Sequence, residues 1–397
     1  MNLILFDPPE LFTRFFPLTM SRPISKIRVG ILTIAEKWEH ISGKKVSFLS
    51  AQYLQKKFPA MIEGDNLLVN GSIIPDHHLF DRIASLKMEE TLWSNDIPLA
   101  FRTSDRNFDE FFQNWNPAEY RKIAYEAVPE KIQRLADIFL INGDQIIQDI
   151  SLINGINQHP VRDVHSVIYS GENVYIGEGT SIKAGILDAD TGPIYIGDGV
   201  TIQPGAVICG PCAILQGSVV ILGAKIRPNT TLGPFCKVGG EVSNVVFQGY
   251  SNKSHDGFLG SSVIGEWCNF GAGTNNSNLK NNYSDIKVWD YAEEKMTSSG
   301  LQYFGLIMGD HTKCGINTMF NTGTVAGFSA NIYDGGYMPK FIPSFAWGNR
   351  NGFTAYELEK AVYTARMVME RRSVTMSHED SEIFEYIFNL TSKHRLP

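Results

Sequence analysis

From Ile196 to Val238 an aliphatic residue returns at every sixth position: Ile196, Ile202, Ile208, Ile214, Val220, Ile226, Leu232, Val238. Four residues after each stands a small or slender one: Val200, Ala206, Cys212, Ser218, Ala224, Thr230, Cys236, Val242. A helix repeats near 3.6 and a half-buried strand at 2, so neither produces this series. A hexapeptide repeat does, with one apolar and one small residue turned inward on each short flat face. Three faces close one triangular coil of a parallel β-helix, and stacked coils bury a column that one coil could not bury alone. The step returns upstream at Ile176 and Ile182, with Thr180 and Ile186 in the small slots. Downstream it returns at Ile264 and Phe270 (small slots Cys268 and Thr274) and at Met308, Cys314, Phe320, Ala326 and Ile332.

The 397 residues are enough for two or three domains. Residues 1–160 lack the six-step and read as an α/β domain, with apolar runs at Leu3–Phe6, Ile31–Ile34, Leu67–Val69 and Ile138–Ile141 as strands. Pro117–Tyr125 and Pro129–Leu135 read as helical, and a link follows near Asn154–Pro160. Residues 161–340 hold the β-helix, and 341–397 a helical tail. Thr354 with Glu357 predicts a capping box for one tail helix, and Ser377 caps another.

The net charge of −7 does not point to nucleic acid. No run of about 18 apolar residues predicts a membrane span. The N-terminus lacks a basic lead and a cleavage site, so the expectation is a cytoplasmic protein. Of five cysteines, Cys209 and Cys212 form a C-x-x-C. The repeat accounts for most of them differently, because Cys212, Cys236, Cys268 and Cys314 fall in inward slots, where Cys acts as a small hydrophobe.

Two polar stretches break the repeat. Gln248–Gly257 is expected to leave the prism as a loop, and the Asn-rich stretch from Asn275 to about Gly300 is expected to do the same. His255 in the first can serve as a general base, since imidazole titrates near neutrality. Asn269 stands one position before an inward residue, where it orients a substrate group or joins an Asn ladder. Lys253, Lys280 and Lys287 are candidates to meet phosphates. Nine His residues include no His-x-x-x-x-His spacing, so a β-helix metalloenzyme is not expected.

The hexapeptides, His255 before Phe258-Leu259-Gly260, and Asn269–Thr274 resemble the acetyltransferase half of bifunctional N-acetylglucosamine-1-phosphate uridylyltransferase/glucosamine-1-phosphate acetyltransferases. The resemblance implies a left-handed β-helix, a homotrimer, and acetyl-CoA held between neighbouring prisms. It puts His255 at the base position and Phe258 where the family has a Tyr. Asn269 and Ala272 match substrate and acyl-CoA positions, and Arg227 matches a sugar-phosphate contact. Lys253 and Lys280 stay as phosphate candidates, and the family's second Lys ligand has no clear counterpart.

The N-terminal domain resembles sugar nucleotidyltransferases. Thr13–Pro23 keeps the spacing of their phosphate loop without its glycines; the first Gly in the chain is Gly30. Backbone N–H groups reach a triphosphate only where no Cβ intervenes, so the loss weakens the loop. Arg14, Thr19, Arg22 and Lys26, with Arg28, remain as phosphate candidates. Asn142-Gly143-Asp144, read as a turn after a strand, resembles the family's Mg²⁺-holding Gly-Asp, which makes Asp144 the metal candidate. The expected function is an acetyl-CoA-dependent transferase acting on an amino-sugar phosphate in sugar-nucleotide metabolism. The alternative is a non-catalytic scaffold of envelope biosynthesis that binds a sugar nucleotide or CoA.

Overall fold

The computed structural model describes residues 2–104, 120–153 and 159–395. Residues 154–158 of the expected link lie outside them. The chain forms two compact units. The first comprises Met1–Phe15, Arg22–Ile27 and Leu32–Arg134; the second comprises Phe16–Ser21, Arg28–Ile31 and Leu135–Pro397.

In the first unit, strands β1 (Asn2–Phe6), β2 (Val46–Leu49), β3 (Asn66–Asn70), β4 (Glu90–Ser94), β5 (Ile97–Thr103) and β6 (Arg121–Ala124) form one sheet in the order β2-β1-β3-β5-β4-β6. β1 runs parallel to β2 and β3, so the strand order reverses beside β1. One core cluster gathers Ile4, Phe6, Leu49, Leu68 and Phe101. Three sequence expectations give way here. Arg121–Ala124 is a strand paired with β4, not the end of a helix (117–119 lie outside the described residues). Pro129–Leu135 forms no helix; Lys131 instead makes a bridge to Ile73. Ile34 opens the helix Ile34–Ser42, because Thr33 and Glu36 close a capping box and Gly43 ends it in the left-handed region.

The second unit is the parallel β-helix. Thr201 pairs with Val219 and Val219 with Lys237, a step of three hexapeptides per coil. The inward series from Ile196 to Val238 is fully buried, as are all eight small slots from Val200 to Val242. Hydroxyls tolerate the small slots because corner peptides satisfy them. Ser218 Oγ donates to Gly233 O (2.9 Å) and accepts from Cys236 N (3.0 Å), and Ser251 and Thr312 repeat the pattern. The count slips at the start, where Ile186 is exposed and Leu187 points inward, and again past Val238, where Val242 stands in register with Ile226 and Phe247 with Leu232.

Coils continue past Ile332 through Phe341–Ile342 and Ala346–Asn349. The helices Leu358–Glu370 and His378–Leu390 follow. Ser377 does form a capping box, with Asp380. Thr354 does not: it lies in the hairpin strand Gly352–Ala355, where its hydroxyl donates to Trp347 O.

The run Ile138–Ile141 is not a strand. Asp137–Leu140 and Asn142–Leu152 are helices of the second unit. They meet the segment 28–31, which belongs to the same unit and is clasped there. Gln248 accepts from Arg28 N (2.7 Å) and donates to Arg28 O, Asn142 Oδ1 accepts from Gly30 N, and Asp149 Oδ2 accepts from Ile31 N. Gly30 holds φ +88°, and a Cβ there would collide with Asp149 Oδ2.

Candidate functional site

The stretch Gln248–Gly257 leaves the prism far less than expected. Gln248 is buried against Arg28, and Asn252–Lys253 is a regular strand of the face that also stacks Thr201–Ile202, Val219–Val220 and Lys237–Val238, the third face; the first stacks Val207–Cys209 and Lys225–Ile226. Only the turn around His255 and Asp256 is free of the ladder, and both residues are exposed. The true excursion is the second one, where Lys287–Asp290 and Lys295–Ser298 form an antiparallel hairpin.

Lys253 departs most from its expected role. It is in register with Val238, so it takes the inward place that an aliphatic residue fills in neighbouring coils. Its amine donates to Gly239 O (3.1 Å) and His255 O (2.9 Å), and burial pushes its pKa down to about 8. This buried ammonium ties down the turn carrying His255 instead of reaching for a ligand.

Around that turn, Phe258 N donates to Asn275 Oδ1 (2.7 Å). Asn276 brackets Gly260 from both sides, accepting from its N–H and donating to its carbonyl. Ala272 is half-buried at the following corner. Asn269 is exposed, and its Oδ1 accepts from Asn252 Nδ2 (2.7 Å), so it does join an Asn pair. Lys280 sits on the excursion, its amine held by Ser284 Oγ and Asp285 O. Arg227 is exposed on the first face and paired with Glu241 (3.2 Å), whereas Asn269 is on the third; one chain does not bring them onto the same face.

The offset of Asn269, one place before an inward residue, extends further than the sequence motifs indicate. Lys237, Asn252, Asn269 and Lys313 all share it and pair in that order across neighbouring strands. The counting rule that finds the spine, moved by one residue, finds this outward row.

In the first unit the strand order reverses beside β1, where open α/β sheets place ligands at the strand ends. Asp7 stands at that end and is buried. One carboxylate oxygen accepts from Ile24 N (2.9 Å) and the other from Ser50 Oγ. Desolvation raises its pKa to about 7, against the lowering effect of those two bonds. The chain's own residues thus satisfy this carboxylate. Arg14 is exposed, Arg22 is buried, and the Lys26 amine lies over the Phe48 ring at 4.9 Å. Thr19 is buried in the second unit.

The residues proposed for Mg²⁺ do not fit that ion. Asn142 is buried and clasps Gly30, Asn229 O and Thr231, and Asp144 is exposed on the first helical turn. Among the described residues no three His, Cys, Asp or Glu side chains gather to hold a metal. The C-x-x-C is no redox pair in form: Cys212 is buried in the spine, and burial raises its thiol pKa.

Residues 3–157 match the sugar nucleotidyl transferase family. A bifunctional sugar-1-phosphate nucleotidylyltransferase/acetyltransferase from Sulfurisphaera tokodaii is 35% identical over 147 residues, covering 36% of this chain and 36% of its own. The bifunctional protein GlmU of Methanococcus aeolicus is 36% identical over 143 residues, covering 36% of this chain and 34% of its own. The matched stretch therefore spans about a third of the length of these relatives. Among solved structures, the polySia specific acetyltransferase NeuO matches 52% of this chain and 98% of its own at 13% identity, with a TM-score of 0.29.

Proposed function

We propose that the β-helix transfers an acetyl group from acetyl-CoA to the amine of an amino-sugar phosphate, and that the α/β unit keeps a nucleotidyltransferase scaffold without its phosphate loop. The observation that carries this reading is the exposed His255, held by a buried lysine beside the Asn269 row, in a chain related to nucleotidylyltransferase/acetyltransferases. In the reaction the His255 imidazole takes a proton as the sugar amine attacks the thioester carbonyl. The C–N bond forms, the C–S bond breaks, and the imidazolium returns its proton to the departing thiolate. Arg227, Asn269, Ala272 and Lys280 belong to this proposal as substrate contacts, with Arg227 supplied from a neighbouring prism of a homotrimer. A cytoplasmic location belongs to it too; among the described residues no helix is long and apolar enough to cross a membrane.

The test is thiol release from acetyl-CoA in the presence of glucosamine 1-phosphate. His255→Ala is expected to lower the rate by about 10²–10⁴-fold. A specific observation favours a second reading, a binding scaffold without turnover: Phe258 lacks a hydroxyl, and the buried Asp7 is held by Ile24 N–H and Ser50 of its own chain. Calorimetric binding of acetyl-CoA with no thiol released would decide for it.

A further inference from the structure

One hollow lies on the outer side of the third face, between the row that runs from Lys237 to Lys313 and the two arginines Arg371 and Arg372 past the helix Leu358–Glu370; Asn269 makes it part of the acetyl-transfer reading. A separate hollow of about 230 Å³ opens at the last coil of the stack and belongs to no site described so far. Its walls come from the end of the prism. Phe341–Ile342 is the last strand of its face, where Ile342 stacks on Ala326. Phe341 and Pro343 border the hollow there, and Pro343, which has no N–H to leave unpaired, suits an open edge. Ala346 is buried, and Phe353 packs against the spine from the closing hairpin, so these four residues make an apolar lining. At about 30 Å³ for each water-sized group, the hollow holds roughly eight non-hydrogen atoms.

The rim is cationic. The helix His378–Leu390 runs into a short turn, Ser392–His394, that brings His394 and Arg395 to the hollow. The Arg395 guanidinium lies over the Phe388 ring at 4.0 Å and donates to Thr391 Oγ1 (3.0 Å) and Phe388 O (2.6 Å). Both acceptors are neutral. Among the described residues no carboxylate pairs with Arg395, and burial pulls its pKa down with no acid to oppose it. No carboxylate lines the hollow either, and Glu294, whose charge reaches His394, is bound by Lys393. A half-buried guanidinium recovers lost hydration best through a counter-charge, and this one has none. Its N–H groups beyond those given to Thr391 and Phe388 remain to meet an anion. His394 meets Tyr291 and Phe341 edge-on at 5.7 Å; burial, with Lys393 and Arg395 nearby, lowers its pKa, so it adds a neutral polar ring and not a second charge.

We propose that this hollow binds a small monocarboxylic acid with an apolar body, its carboxylate on Arg395 at the rim and its hydrocarbon part between Phe341, Pro343, Ala346 and Phe353. One guanidinium matches one carboxylate in charge and in planar, two-pronged geometry. A phosphate dianion would set two charges against a single cation beside apolar walls. A sugar would leave most of its hydroxyls unanswered, with only Thr354 and His394 to meet them. The proposal does not rest on the acetyl-transfer reading.

Isothermal calorimetry on the full chain with benzoate, benzyl alcohol and acetate tests it. Benzoate carries both halves of the ligand, benzyl alcohol the apolar body without the charge, and acetate the charge without the body. Benzoate is expected to bind with a dissociation constant on the order of 0.1–1 mM, and each half-probe at least about tenfold more weakly. R395M keeps an apolar stem but removes the guanidinium, and is expected to weaken benzoate binding about tenfold or more. The three probes are compared on the unmodified chain, so a folding defect in the variant leaves that comparison intact. The site is refuted if benzoate gives no binding up to about 10 mM. It is refuted equally if benzoate binds no tighter than either half-probe, or binds a folded R395M as tightly as the unmodified chain.

Discussion

Asp7 and Lys253 are both buried ionisable groups where a ligand was expected, and they behave oppositely. At the end of β1 the chain folds its own Ile24 N–H and Ser50 hydroxyl onto the carboxylate, so Asp7 is answered from within. In the β-helix the ammonium turns inward to two carbonyls and leaves His255 outside, with an open hollow on the outer side of the same face. A satisfied carboxylate and an open hollow thus differ in what answers the polar groups. Where groups from the same chain do so, the crevice has become core; where side chains remain unanswered, chemistry is still available.

The largest expected effect breaks the first half of this contrast. Asp7 is neutral in the fold up to its pKa of about 7 but ionises near 3.8 when unfolded. Between those values the native state holds a proton that the unfolded state lacks, so stability falls as pH rises, by up to about 1.4 kcal/mol per pH unit. Asp7→Asn keeps the bond from Ile24 N at its Oδ1, donates from Nδ2 to Ser50 Oγ in place of accepting from it, and is expected to abolish the fall. Urea melts at pH 5 and pH 7.5 measure it, and an unchanged slope would move the ionisation elsewhere.

Gly30→Ala comes next. The added Cβ collides with Asp149 Oδ2 and comes within 2.8 Å of the Gln145 carbonyl, at a φ that disfavours it. A loss of about 2–4 kcal/mol is expected in chemical denaturation, from overpacking plus backbone strain. A loss under about 0.5 kcal/mol would mean that the clasp around Arg28–Ile31 is loose.

The smallest effect sharpens the second half. Lys253 has a folded pKa near 8, below its ordinary 10.5. Between those values the unfolded state holds the extra proton, so stability rises with pH across that window. Relaxation around the amine holds the effect to about 1–2 kcal/mol. Lys253→Met is expected to remove the rise and, by freeing the His255 carbonyl, to lower kcat for thiol release more than it changes KM. Melting temperatures at pH 7.5 and 10 read the first part.

The spine is legible because its side chains obey one count. The count fails at Ile186, where the coil runs long and Leu187 takes the inward place. The α/β unit is legible at Leu3–Phe6 and Leu67–Val69, runs flanked by turns, whereas Ile138–Ile141, read as one of its strands, is helical and belongs to the second unit. Four apolar residues in a row satisfy strand and helix alike, and only the tertiary partner decides. Here Ile138 and Phe139 are buried while Leu140 is exposed, a helical distribution. Gln248–Gly257 reads as a loop because its residues are polar. Their polarity serves the clasp on Arg28 and the row on the third face, neither of which is local in the sequence. Asn269 stands out by its offset, whereas Lys313 and the two arginines join it only once the stack and the tail helix are in place.

The pairing of Asn269 with Lys313 carries a consequence beyond this site. The ladder resumes in register although the hairpin Lys287–Ser298 lies between the two strands. Closing a longer or shorter loop changes chain entropy only slowly with length. The detour is therefore an insertion that leaves the alignment of the stack untouched, moored to it by Trp289 stacked on Phe341 at 4.2 Å and by the buried Ile286 and Tyr291.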